Sequence, residues 1–122
     1  MQPLSEAPPL PLFAYGTLVD AVFTGRLLER RLAPEPAVLL DHALGELPGL
    51  GYPVVVPAPG RQAEGVLYRH LTAADFDRLD AYEGVAEGLY ARGRAEAVPA
   101  SGGAAEPVSV YLPTDRALRR YR

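Results

Sequence analysis

Two short stretches, far apart in the chain, carry the residues whose types and spacing suit chemistry. The first is Tyr15-Gly16-Thr17-Leu18. Gly16 can take a positive φ and has no side chain, so backbone N–H groups of a turn here can converge on a ligand oxygen such as a carboxylate. The same tetrapeptide also reads as an ordinary glycine turn that ends a strand. The second stretch is Leu79-Asp80-Ala81-Tyr82-Glu83-Gly84. Gly84 stands where helices reverse into the left-handed conformation, which leaves Glu83 at the end of the last turn. There the unpaired carbonyls and partial burial both disfavour a carboxylate's charge, so a raised pKa and a better proton acceptor are expected. The plain alternative is a solvated glutamate in a helix-ending turn.

Missing residue types narrow the chemistry further. There is no cysteine, hence no thiol nucleophile, thiolate metal site or disulfide framework. All 12 basic residues are arginine, which removes a P-loop lysine and Schiff-base chemistry. Ser5, Ser101 and Ser109 lie outside any Gly-x-Ser-x-Gly elbow. His42 and His70 offer too few ligands at unsuitable spacing for a metal and read as hydrogen-bonded structural residues. Catalysis, if present, falls to carboxylates, tyrosines and backbone dipoles, with neither metal nor cofactor expected. At 122 residues with a net charge of −3 the chain reads as one domain, with no electrostatic reason to meet nucleic acid or a membrane surface. The absence of a long apolar run or a signal-like start makes a cytoplasmic location the expectation. Oligomeric state does not follow from these features.

The elements that must position the two stretches can be read in order. Residues 1–10, rich in proline, read as a disordered arm. Leu10 to Ala14 alternates as a strand that runs into the Gly16 turn. Asp20 caps a helix from Ala21 to about Leu32, with Phe23, Leu27, Leu28 and Leu32 on one side, weakened by Gly25 and ended by Pro34 and Pro36. A strand over Ala37 to Leu47 bends near Asp41 or Gly45, and Pro48-Gly49-Leu50-Gly51 makes a turn. Tyr52 to Pro57 and Glu64 to Leu71 read as two strands of a hairpin joined through Pro59-Gly60. Thr72 with Asp75 forms a capping box for a helix from Ala73 to about Tyr82. Strands over Leu89 to Val98 and Val108 to Leu112 follow, separated by a mobile Gly- and Ala-rich connection, and residues 114–122 form a basic tail. The whole is an α+β domain, over residues 11–113, built on a small curled or closed barrel of about six strands with two flanking helices.

Phe13-Ala14-Tyr15-Gly16-Thr17-Leu18, Tyr52-Pro53-Val54-Val55-Val56-Pro57, Gly65-Val66-Leu67-Tyr68 and Leu79-Asp80-Ala81-Tyr82-Glu83-Gly84, with Tyr90 and Arg92 beyond, together resemble the gamma-glutamylcyclotransferase-like superfamily. The likeness is to its avirulence-induced-gene-like branch and runs from about Leu12 to Leu112. It implies a small barrel with flanking helices, a Tyr15–Leu18 loop that grips a γ-glutamyl head, and Glu83 as general acid and base. The reaction implied is cyclisation of a γ-glutamyl amine, amino acid or peptide to 5-oxoproline with release of the free amine. Val19-Asp20 departs from the family pattern, in which many relatives carry a basic or amide residue after the turn.

The same resemblance puts Tyr90 beside the substrate, while Arg92 shares its side of the strand and could orient a carboxylate. Tyr111 reads first as a packing residue, Asp80 as a capping or solvated one, and the C-terminal arginines as a solvated face. A second reading is a non-catalytic module that binds a small carboxylate in the same pocket. An intact Glu83 favours the enzyme, because a pure binder needs no proton shuttle, although it could keep the carboxylate as a charge partner for an ammonium group.

Overall fold

The computed structural model describes residues 9–46 and 53–120. Five strands and three helices alternate along it: β1 (Leu12–Ala14), a 3-10 turn (Gly16–Val19), α1 (Ala21–Leu28), β2 (Glu35–Glu46), β3 (Pro53–Tyr68), α2 (Ala73–Glu83), β4 (Tyr90–Pro99), β5 (Glu106–Pro113) and α3 (Asp115–Arg120). The strands close into a barrel in the order β1-β3-β2-β4-β5. The seam between β1 and β5 is parallel, with Leu12 opposite Ser109 and Phe13 opposite Val110, and the other ladders are antiparallel. A hydrogen bond of 2.8 Å from the Ser109 N–H to the Pro11 carbonyl extends that seam.

All three residues of β1 are buried, because each of its faces is covered by a different layer. Phe13 packs inside the barrel with Leu39, Val55, Leu67, Val108 and Val110. Leu12 and Ala14 point the other way, into a cluster with Leu18, Leu28, Phe76 and Leu79 of the turn and helices. Gly65, opposite Ala37 on β2, makes the crossing of β1 and β3 possible. A Cβ there would come within 2.4 Å of the Ala14 carbonyl oxygen and 2.5 Å of the Phe13 ring. No side chain fits that gap.

Expectation and structure differ most at Pro59-Gly60. The two strands expected on either side are one continuous strand, β3, so the barrel has five strands where about six were expected. Both halves of β3 pair with β2, and the register shifts between Leu40 and His42, where residues 58–61 lie opposite Asp41 alone. Asp41 takes a φ of 59° and its carboxylate accepts the Gly60 N–H at 2.9 Å, so the dipeptide makes a bulge that bends two paired strands together rather than a turn that separates them. The bend expected near Asp41 or Gly45 falls at Asp41. The turn read at Pro48–Gly51, and residues 1–8 of the proline-rich arm, lie outside the described residues.

Asp20 caps α1 as expected, accepting N–H groups of Val22 and Phe23 at 2.9 and 3.2 Å. The helix stops at Leu28, about a turn before Leu32. Glu29 turns left-handed (φ 57°) and the Arg30 N–H bonds back to the Gly25 carbonyl at 3.0 Å, a closure that ends a helix without proline. A Cβ on Gly25 would lie 2.7 Å from the Arg30 carbonyl oxygen, so this glycine permits the closure. The Thr72–Asp75 capping box opens α2, and Arg30 reaches Asp75 at 2.5 Å. Burial works against the Asp75 charge, but the hydrogen bonds from the Thr72 backbone and Arg30 outweigh it and hold the carboxyl below its ordinary range. The C-terminal segment read as a basic tail contains α3, whose Ala117 is buried. Among the described residues no helix is long and apolar enough to cross a membrane.

Candidate active site

Where β1 runs out, its last residues meet the ends of three other elements around a cavity of about 280 Å³. Phe13 and Ala14 of β1, residues 15–18 of the turn, Tyr82 and Glu83 of α2, and Leu89, Tyr90 and Tyr111 line it together. The volume sits near the lower end of the roughly 300–1,000 Å³ of small-molecule sites, which suits a metabolite rather than a polymer.

The turn is held rigid from below. Gly16 has a φ of 63°, as expected, with nothing within 4 Å of where a Cβ would stand, so conformation and not crowding selects glycine. Tyr15 donates its hydroxyl to the Tyr111 carbonyl, which ties the loop to β5. The Leu18 carbonyl accepts two buried hydroxyls, Thr24 Oγ1 at 2.8 Å and Tyr68 Oη at 2.7 Å. With that carbonyl drawn inward, the opening residues of the turn face the cavity. The first N–H groups of a short 3-10 turn have no carbonyl behind them within the turn, which leaves them suited to a ligand oxygen.

Glu83 is the last residue of α2, and Gly84 (φ 72°) carries the chain away in the left-handed conformation as read from the sequence. Among the described residues it is the one charged residue that lines the cavity. Burial pushes its pKa from 4.5 up to about 7. A carboxyl near neutrality exchanges a proton in either direction at physiological pH. One hydroxyl of the lining, that of Tyr111, is held in place. Tyr111 donates to Asp80 at 2.5 Å, and burial together with this bond keeps the phenol protonated well above its ordinary range. Asp80 also receives Arg92 at 3.5 Å, and the Arg92 guanidinium lies 4.7 Å over the Phe76 ring.

The cavity thus brings together Glu83, Tyr15, Gly16, Thr17, Leu18 and Tyr90 of the residues singled out by sequence. Arg92 is not in its lining; it stands one layer back, behind Tyr111, through Asp80. Tyr111, read as packing, is a cavity residue, and Thr24 and Tyr68 hold the turn although neither was singled out for that. Among the described residues no group of three His, Cys, Asp or Glu side chains could hold a metal ion.

Comparison with known proteins agrees with this architecture. Among curated proteins no sequence matches. Among solved structures the chain is similar to the solution structure of At3g28950.1 from Arabidopsis thaliana (24% identity, 92% of this chain, 66% of that one, TM-score 0.78). It is equally similar to At5g39720.1 from the same plant (24% identity, 98% of this chain, 79% of that one, TM-score 0.78). A gamma-glutamyl cyclotransferase matches with 21% identity and a TM-score of 0.73, over 86% of this chain and 66% of that one. The chain therefore spans about two thirds of the length of two of these proteins. The family described as gamma-glutamyl cyclotransferase, AIG2-like, matches residues 12–121. The barrel, its flanking helices and this match over nearly the whole length lead to one conclusion: the chain belongs to the gamma-glutamyl cyclotransferase, AIG2-like family.

Proposed function

We propose that the protein is a cyclotransferase that converts a γ-glutamyl amine, amino acid or peptide to 5-oxoproline and the free amine. The observation that carries this reading is Glu83, a carboxyl with a pKa of about 7 that lines the same metabolite-sized cavity as the Gly16 turn. The substrate's α-amine is the nucleophile. It attacks the δ-carbonyl carbon, a new C–N bond closes the five-membered ring, and the bond to the departing nitrogen breaks, so no water enters the balance. The turn at Tyr15–Leu18 holds the α-carboxylate with its backbone N–H groups, and folding the glutamyl chain so that amine meets carbonyl replaces a bimolecular encounter. That effect is worth roughly 7–11 kcal/mol when the alignment is good.

Glu83 takes the proton that the amine must lose and returns it to the nitrogen that leaves. Raising the base from 4.5 to about 7 takes about 3 kcal/mol off the first transfer, whatever the amine's own value. The Tyr90 hydroxyl binds the glutamyl group. Arg92 acts as a positioning residue, since it holds Asp80, which in turn holds Tyr111 at the cavity wall. The competing reading, a binding module without turnover, has no use for a carboxyl near neutrality. The test is 5-oxoproline release from γ-glutamylalanine, γ-glutamyl-lysine isomers and glutathione by the wild type and by Glu83→Gln. Release by the wild type alone supports the assignment; a folded wild type silent on the whole panel, or a Glu83→Gln protein at full rate, sinks it.

A further inference from the structure

Among the described residues, Glu83 is the only charged one in the cavity's lining, so no cation lines it. An acid group on the amine side of a substrate would therefore find nothing inside to neutralise it. Immediately outside, a groove is lined by Glu87, Leu89, Arg116 and Arg119, and Leu89 belongs to both surfaces. Leu89 is the residue through which the two adjoin.

The helix that carries the groove's arginines is tied to the cavity wall. Thr114 donates its hydroxyl to the Gly88 carbonyl at 2.6 Å and its N–H to the Leu89 carbonyl at 3.1 Å, and its Oγ1 accepts the Ala117 N–H at 3.1 Å. One residue thus caps α3 and clamps it to the segment that lines the cavity. Arg116 and Arg119 are three apart, so they share a face of α3. The Arg116 guanidinium lies against Gly88, 3.5 Å from where a Cβ would stand. Among the described residues neither arginine makes an ion pair or a side-chain hydrogen bond, although Arg30, Arg69, Arg78 and Arg92 all do. Two cations against Glu87 leave the groove net positive beside a cavity whose described lining carries no cation.

We propose that this groove is a subsite for an anionic group on the amine portion of the substrate, with Arg116 and Arg119 as its cationic partners. The inference rests on the reading of the cavity as the γ-glutamyl site and narrows it. The preferred substrates are γ-glutamyl amino acids or peptides whose leaving amine keeps a free carboxylate, and neutral γ-glutamyl amines are poorer. Guanidinium and carboxylate match in shape as well as charge, which is why arginine suits the task.

The test compares γ-glutamylglycine with γ-glutamylglycinamide, which differ by one charge at nearly constant shape. Each is titrated calorimetrically into the full-length Glu83→Gln protein with both arginines, with Arg116→Gln/Arg119→Gln, and with Arg116→Lys/Arg119→Lys. The acid is expected to bind about tenfold more tightly than the amide. The glutamine pair should abolish that preference, the lysine pair should retain part of it, and added salt should narrow it. Equal affinity for acid and amide, an equal loss for both in the glutamine pair, or binding of neither ligand overturns the proposal. Measuring 5-oxoproline release by the wild type separates the two readings. Charge-selective binding without turnover leaves the subsite standing and removes the cyclisation; turnover with charge-blind binding does the reverse.

Discussion

Replacing Glu83 by glutamine should move activity and stability in opposite directions, and the same physical quantity governs both. Burial raises the Glu83 pKa from 4.5 to about 7, so the folded protein holds a proton that the unfolded chain has already released over that interval. The sign follows directly: a group whose folded pKa is raised stabilises the fold below its unfolded value and loses that contribution as pH rises through the folded one. Full ionisation above pH 7 therefore costs the wild type about 3 kcal/mol, at about 1.4 kcal/mol per pKa unit. Glutamine keeps the shape and never ionises. Thermal melts of the two proteins from pH 4 to 9 should coincide at the acid end, diverge between about 4.5 and 7, and hold a constant gap above it, with Glu83→Gln melting higher by roughly 5–15 °C. Turnover of a γ-glutamyl substrate by the variant should fall by roughly 10²–10⁴. On the wild type, kcat/KM should lose about tenfold per pH unit below a midpoint near 7, where the base becomes protonated. A melting gap that does not change with pH would refute the burial argument. A variant that is stabilised in alkali yet fully active would refute the acid–base role alone.

Gly16→Ala should raise KM several-fold and cost about 1–2 kcal/mol in urea unfolding, since alanine resists the φ of 63° even though space for its methyl is open. Tyr68→Phe and Thr24→Val each remove one of two buried donors to the Leu18 carbonyl; each should cost about 1–2 kcal/mol by thermal melting and raise KM with kcat less affected. Gly65→Ala should destabilise by about 3 kcal/mol on denaturant unfolding, because the new methyl meets a carbonyl oxygen and a ring that the barrel seam cannot move apart.

What the sequence made legible was the chemistry that acts within a few residues. The Asp20 cap, the Thr72–Asp75 box and the Gly84 reversal each depend on neighbours in the chain, and each stands where its residues suggest. The raised pKa of Glu83 was expected from helix-end carbonyls and partial burial; burial is the cause that acts, and packing from distant elements supplies it. Pro59-Gly60 misled because the same dipeptide serves a turn or a bulge; the choice is made by Asp41, whose carboxylate takes the Gly60 N–H from the neighbouring strand. The Gly25 closure was equally out of view, since it is the Arg30 carbonyl folding back that requires glycine there. Long-range partners account for the rest. Tyr68 reaches Leu18 across 50 residues and Tyr111 reaches Asp80 across 31, so no window of sequence contains either bond. Arg92 alternates with Arg94 and Glu96 as a solvated face would, yet α2 lies over it and gives it Phe76 and Asp80.

The division of the core into two clusters explains how so small a protein tolerates a buried carboxyl. The barrel interior around Phe13, Leu39, Val55 and Val110 involves neither α1 nor α2. The outer cluster is different: Leu18 of the turn, Tyr68 beneath it, Phe76 and Leu79 of α2 and Tyr111 of β5 are packed as one body. The turn and the end of α2 therefore cannot drift apart without opening that body, and its packing sets the distance from the Gly16 loop to Glu83. This packing partly buries Glu83, and that burial raises its pKa. The roughly 3 kcal/mol by which burial disfavours ionised Glu83 is the amount by which it strengthens that carboxylate as a base. Stability lost at this one position and the reactivity it supports are two expressions of a single desolvation, and the barrel supplies the remaining burial that keeps the chain folded while it persists.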